Sequence, residues 1–159
     1  MNVVIVAGGL QTRFNELSCF PKILLPSKDG TPILIKQLEY FDEANTISIV
    51  VNKKFANIMK AYIEINHLYV DVIVSDNTNG LGNTLASVYD DLPKKNVLFF
   101  WSDILFDNDE FKVDRKIGDK DNCVIFTVND AKYRYKIEDG KIVNRSFAYD
   151  GNVPGIFWI

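Results

Sequence analysis

Val3-Val4-Ile5-Val6-Ala7-Gly8-Gly9-Leu10-Gln11-Thr12-Arg13, with Pro21-Lys22 a few positions on, is the stretch from which the rest of the chain is read. A short apolar run bounded by turn residues reads as a buried strand, here Asn2–Ala7. It breaks into two glycines, and the loop beyond carries an arginine and then a lysine. Glycine lets a backbone approach a ligand closely with its N–H groups exposed, a geometry that suits phosphate oxygens. Two cations on the same loop supply charge that a triphosphate needs. The reading is a phosphate-binding loop at the carboxyl end of a first strand. The alternative is a glycine turn followed by solvated Arg13 and Lys22.

Outward from that loop, strand-like and helix-like patterns alternate. Thr31-Pro32 places an N-cap residue before a proline at the first helical position, and Leu34, Leu38 and Phe41 then recur at helical spacing. Ile47–Val51 reads as a second strand. Phe55, Ile58, Met59, Tyr62 and Ile63 follow the i, i+3, i+4, i+7 rhythm of an amphipathic helix. Val70–Val74 is a third strand, and Leu85, Val88, Tyr89 and Leu92 mark a third helix capped by Asn83 or Thr84. Val97–Trp101 is a wholly apolar strand, as expected where helices cover both faces of a parallel sheet. The expected fold is α/β and layered. After about Asp107 the pattern changes: Cys123–Val128 is strand-like, Tyr133–Ile137 and Lys141–Val143 flank the hairpin signal Asp139-Gly140, and Val153–Ile159 is apolar to its end.

Composition bounds the function. The 159 residues fit one domain with a real core, and 18 basic against 21 acidic side chains give a net charge of −3. Neither a nucleic-acid footprint nor a membrane surface is expected from that balance. Cys19 and Cys123 lack metal-type spacing and read as reduced thiols of a cytoplasmic protein. His67 is the single histidine, which argues against a zinc site or a Ser-His triad. The glycine loop is not a Walker A loop, and no G-x-G-x-x-G follows the first strand. Val51-Asn52-Lys53 stands where a dinucleotide fold would place its ribose-binding acid, which disfavours an oxidoreductase.

The first loop resembles the signature of the nucleotidyltransferases that activate sugar phosphates, Ala-Gly-Gly-x-Gly-Thr-Arg followed by Pro-Lys and then Gly-x-Pro. Gly30-Thr31-Pro32 matches the last element, and Gln11 stands where the family has its third glycine. The resemblance implies a three-layer, Rossmann-like nucleotidyltransferase fold with a mainly parallel central sheet and a C-terminal β-hairpin region. It further implies catalytic roles for Lys22 and Arg13 at the triphosphate, and nucleotide binding by Ala7, Gly8, Gly9, Leu10, Gln11 and Thr12. Asp76–Thr84 resembles the family's base-binding Gly-Leu-Gly-Thr segment, which adds Gly80, Gly82, Asn83 and Thr84. Its departure is Asn83 in place of threonine.

Trp101-Ser102-Asp103-Ile104-Leu105-Phe106 is similar to the family's Gly-Asp-x-Leu-Phe, whose aspartate holds the metal. Asp103 is accordingly the expected Mg²⁺ ligand, with Asp107 and Asp109 as rivals. The acceptor-side segment is less similar, because the family's Glu-Lys-Pro is replaced by Asn144-Arg145-Ser146. Lys132, Arg134 or Arg145 would bind a phosphorylated acceptor, or else form an exposed basic hairpin.

The implied reaction is Mg²⁺-dependent transfer of NMP from an NTP to a phosphorylated small molecule, with release of pyrophosphate. CTP is the favoured donor, by likeness to the choline-phosphate cytidylyltransferases of surface-polymer pathways. A sugar-1-phosphate thymidylyl-, uridylyl- or guanylyltransferase and a non-catalytic nucleotide-binding homologue are the alternatives, and a homo-oligomer is compatible with either. Residues 1–107 are expected to form the nucleotide-binding half of the domain and 108–159 the start of an acceptor-binding half. The apolar run at Gly155–Ile159 leads to the expectation that further sequence or another subunit completes that half.

Overall fold

The computed structural model describes residues 1–9, 19–77 and 80–106, together with the strand backbones at 124–125, 134–138, 141–146 and 156–158. Four parallel strands form its centre: β1 (Asn2–Ala7), β2 (Thr46–Asn52), β3 (Asp71–Ser75) and β4 (Val97–Trp101). β1 lies between β2 and β4, and Val3, Val4, Ile5 and Val6 are all buried, as a strand covered on both faces requires.

Alternation along these strands divides the core. Val3, Ile5, Ile49, Val51, Leu98 and Phe100 pack on one face with Leu34 of α1 (Ile33–Glu39) and Met59 and Ile63 of α2 (Ala56–Ile65). Val4, Val6, Val50 and Val97 face the other way, towards Leu85 of α3 (Leu81–Ser87) and the following Val88 and Leu92. Helices on both faces of a mainly parallel sheet make the expected three layers.

The apolar run near the end of the chain becomes β8 (Ile156–Trp158). It joins the same sheet antiparallel to β4, with Phe99 opposite Phe157, and its other edge pairs with β5 (Val124–Ile125). The sheet order is β3-β2-β1-β4-β8-β5. β6 (Arg134–Glu138) and β7 (Lys141–Ser146) form a separate antiparallel pair around the Asp139-Gly140 signal, with Glu138 opposite Lys141.

Three local expectations are corrected. Thr31 does not cap α1: the helix starts at Ile33 after Pro32, which is extended at φ −56° and ψ 140°. Thr31 is instead part of a tight turn. Its carbonyl accepts from the backbone N–H and the hydroxyl of Ser27, its N–H donates to Asp29, and Pro32 bridges to Pro26. Nor does Asn83 or Thr84 cap α3, whose cap position is Gly80 at φ 91° and ψ 167°, a conformation essentially reserved for glycine. The third helix is also shorter than its periodicity implied. It ends at Ser87, and a 3-10 turn over Tyr89–Asp91 carries the chain to Leu92, which is extended ahead of Pro93. Val88 and Leu92 still reach the core, while Tyr89 stays exposed. Among the described residues no helix is long and apolar enough to cross a membrane.

Candidate functional site

Topology selects the place to look. From β1 the chain steps outward to β2 and β3, then returns to lay β4 against the opposite edge of β1. Open α/β sheets bind ligands at such a reversal, beyond the carboxyl ends of the strands. By that rule the ligand crevice is expected between Gly8-Gly9, after β1, and residues 102–106, after β4.

Lys22 reaches this crevice from a 3-10 turn, Lys22–Leu24, whose Ile23 and Leu24 are buried. With those two side chains sunk in the core, the lysine is left pointing outward from a pinned backbone. Its Nζ lies 3.4 Å from Asp103 Oδ2, joining residues 81 positions apart. Their side chains are 32% and 53% exposed, so the pair itself contributes at most about 1 kcal/mol. Its meaning is geometric: a cation and a carboxylate meet at the mouth of the crevice.

Asp103 sits on a loop held from outside. Ser102 N–H extends the sheet by donating to Val6 O at 3.2 Å. Gln37 of α1, fully buried, donates through Nε2 to Trp101 O at 3.1 Å and to Ile104 O at 2.8 Å. Tyr40, at the end of α1, accepts from Phe106 N–H at 2.9 Å and donates to Phe106 O at 3.3 Å. Edge-on ring contacts of Tyr40 with Phe106 (5.5 Å) and of Phe41 with Phe100 (5.0 Å) fill the space beneath. Gln37 Oε1 is buried with no hydrogen-bond partner among the described residues, a cost of about 1–3 kcal/mol that an aliphatic side chain would avoid. Sequence reading passed over Gln37; its signal was a polar residue interrupting the apolar stripe of Leu34, Leu38 and Phe41.

Gly80–Thr84 lies against the other side of the glycine loop. A Cβ on Gly8 would stand 2.6 Å from Thr84 Cγ2, so glycine at that position lets the β1 loop touch α3. Thr84 is itself buried, and its one hydroxyl hydrogen is shared between Gly80 O (3.0 Å) and Asn77 O (3.1 Å). Ser75 and Ser87 share a hydroxyl hydrogen bond of 2.8 Å alongside. At Gly9 and Gly82 a Cβ would meet nothing within 4 Å, so packing among the described residues does not demand glycine at either. Asn83 is exposed on the first turn of α3. Ala7 closes β1, half-buried against the core.

The same edge carries a feature that no motif announced: Lys53, after β2, pairs with Asp76, after β3, at 3.3 Å, both well exposed. Of the remaining expected site residues, Leu10, Gln11, Thr12, Arg13, Asp107, Asp109 and Lys132 lie outside the described residues. Arg134 and Arg145 fall on β6 and β7, opposite Ser146 and Tyr135 respectively, and their side chains also lie outside the described residues. Among the described residues no group of three or more His, Cys, Asp or Glu side chains converges on a metal position. The Asp103 carboxylate is a donor of the kind Mg²⁺ accepts when phosphate oxygens and water complete its shell.

No family model matches the chain, and no curated protein matches it. Solved structures do. A Bacillus anthracis protein described as a glucose-1-phosphate thymidylyltransferase, crystallised with sucrose, aligns with a TM-score of 0.79 at 17% identity, over 99% of this chain and 70% of its own. The inositol-1-phosphate CTP transferase of T. maritima aligns at 0.73 and 13% identity, over 99% and 69%. The CTP:phosphocholine cytidylyltransferase of Streptococcus pneumoniae aligns at 0.72 and 20% identity, again over 99% and 69%. The three share one architecture, and this chain has the fold of these nucleotidyltransferases.

Proposed function

We propose that the chain acts as a Mg²⁺-dependent nucleotidyltransferase that moves NMP from an NTP to a phosphorylated small molecule. The observation that carries this reading is the meeting of Lys22 and Asp103 at the switch point of a nucleotidyltransferase fold, beside the glycine loop. An acceptor phosphate oxygen attacks the α-phosphorus in line, the bond to the bridging oxygen breaks, and pyrophosphate leaves. Such a transfer needs positioning and charge stabilisation more than a covalent nucleophile.

Each residue then has a role. Lys22 Nζ donates to phosphate oxygens and balances the charge that accumulates as pyrophosphate departs. Backbone N–H groups at Gly8 and Gly9, with Arg13 further along the loop, grip the triphosphate. Gly80, Gly82, Asn83 and Thr84 border the base, where the open backbone at Gly82 allows close approach. Asp103 would hold Mg²⁺, which supplies charge neutralisation on the triphosphate. Lys132, Arg134 and Arg145 are the candidate acceptor contacts.

CTP is the proposed donor, because two of the three similar structures are named for its use. The Bacillus anthracis protein favours a second reading, thymidylyl transfer to a sugar 1-phosphate. A thermal-shift panel of CTP, dTTP, UTP, GTP and ATP with Mg²⁺ separates them. Ligand at 100 times its dissociation constant adds about 2.7 kcal/mol of stability. The largest shift is expected with CTP, followed by pyrophosphate release on adding phosphocholine, inositol 1-phosphate or glucose 1-phosphate. Binding without release would mark a non-catalytic homologue, and no shift with any NTP would refute the reading.

A further inference from the structure

We propose that Gln37 and Tyr40 are positioning residues that set the Asp103 carboxylate against Lys22, with α1 as the common support of both groups. The inference rests on the nucleotidyltransferase reading for its purpose, and on geometry alone for the clamp.

Beyond Trp101 the chain leaves the sheet ladder, and a loop in that position would ordinarily be free to move. Here the two carbonyls that bracket Ser102-Asp103, those of Trp101 and Ile104, converge on one buried amide nitrogen of Gln37. Both backbone groups of Phe106 are closed by the Tyr40 hydroxyl. Gln37 and Tyr40 are one helical turn apart, so a single rigid face takes hold of the loop on both sides of the carboxylate. The other end of α1 fixes Lys22: Ile33 N–H donates to Leu25 O at 3.0 Å, and Leu25 N–H donates to Lys22 O at 3.0 Å.

A purely structural role would be served by an apolar residue at position 37. The amide places one oxygen in the core without a partner among the described residues, and what it gains in return is the pair of carbonyls flanking Asp103. Partners that orient a metal-holding carboxylate typically change metal affinity or activity by roughly 10–100-fold when removed.

The test uses Gln37→Met, which keeps length and removes the donors, and Tyr40→Phe, which removes only the hydroxyl. Ile63→Val, a core truncation on α2 remote from the loop, serves as control. Two quantities are measured: amide hydrogen exchange across residues 101–106 without ligand, and the Mg²⁺ concentration giving half-maximal nucleotide binding. Faster exchange confined to that loop is expected in both clamp variants, with a Mg²⁺ midpoint roughly tenfold higher in Gln37→Met and a smaller rise in Tyr40→Phe. Ile63→Val should lower melting temperature and leave both readouts at parent values. Unchanged loop exchange would overturn the clamp, whether or not nucleotide binds. Faster exchange with an unmoved Mg²⁺ midpoint would make the two residues structural only. Should Gln37→Met fail to fold, Tyr40→Phe decides by the same two readouts. A parent chain that binds no nucleotide with Mg²⁺ would instead remove the functional reading beneath.

Discussion

Two loops border the crevice and are held in opposite ways. Residues 101–106 are fixed from outside, by Gln37 and Tyr40 of a helix more than 60 positions earlier. Residues 75–77 and 80–87 hold themselves, through Ser75, Thr84 and Ser87 hydroxyls bonding to groups within 12 positions. Hydroxyl-to-backbone bonds of that local kind are characteristic of Ser and Thr and are written into the sequence nearby. The clamp on 101–106 exists only once α1 has packed against the sheet. The contrast matches the proposed roles: a charge-bearing loop needs its carboxylate held at a defined distance from Lys22, whereas a base-facing loop needs its backbone open.

The sharpest way to break the contrast is to remove the charges that the clamped loop brings together. Asp103→Asn and Lys22→Ala should each lower nucleotidyl transfer by roughly 10²–10³-fold. Both side chains are partly exposed, so melting temperature should change little. Steady-state pyrophosphate release alongside circular dichroism checks both statements, and full turnover in either folded variant would remove that residue from the site.

A smaller effect is expected where the self-held loop touches β1. Gly8→Ala drives a methyl to 2.6 Å from Thr84 Cγ2 and should destabilise the chain by about 1–3 kcal/mol in urea unfolding. Thr84→Ser deletes that methyl and keeps the hydroxyl, so the double variant should recover part of the loss. Additive losses would show that the two loops do not meet at this point.

The smallest effect concerns the turn that feeds the clamp. Lys36 at 2.7 Å, with Ser27 and the Thr31 N–H, holds the Asp29 carboxyl well below the usual carboxylate range. A depressed folded value makes the stabilisation fully present above the ordinary carboxylate value of about 4 and lost as pH falls towards the folded one. The lysine is raised by the same pairing, so its contribution persists until strongly alkaline pH. Asp29→Asn should therefore lower melting temperature slightly and equally between pH 5 and 8, with the difference from the parent narrowing below about pH 4. Both groups lie at the surface, and 1 M salt should shrink the difference. A pH-dependent gap within 5–8 would contradict the assignment.

Much of the architecture was legible in residues 1–106. Short apolar runs rich in β-branched or aromatic residues and bounded by turn residues, such as Val3–Val6 before Gly8-Gly9, read as buried strands, and the 3.6 rhythm of Met59, Tyr62 and Ile63 marks α2. Helix starts were read less well. Thr31 and Asn83 have the right chemistry for caps, but cap residues serve turns equally well, and local bonding to Asp29 and the positive φ of Gly80 decided the outcome. The glycine loop, Lys22 and Asp103 could be named singly, because each stands directly beside a strong punctuation mark. That Lys22 and Asp103 meet, that Thr84 closes on Gly8, and that Gln37 turns inward to grip two carbonyls follow from strand order. Putting β4 beside β1 pairs Asn2 with Val97 and brings Asp103 to Lys22, 81 positions away, a choice made by packing both sheet faces at once and not by any local propensity.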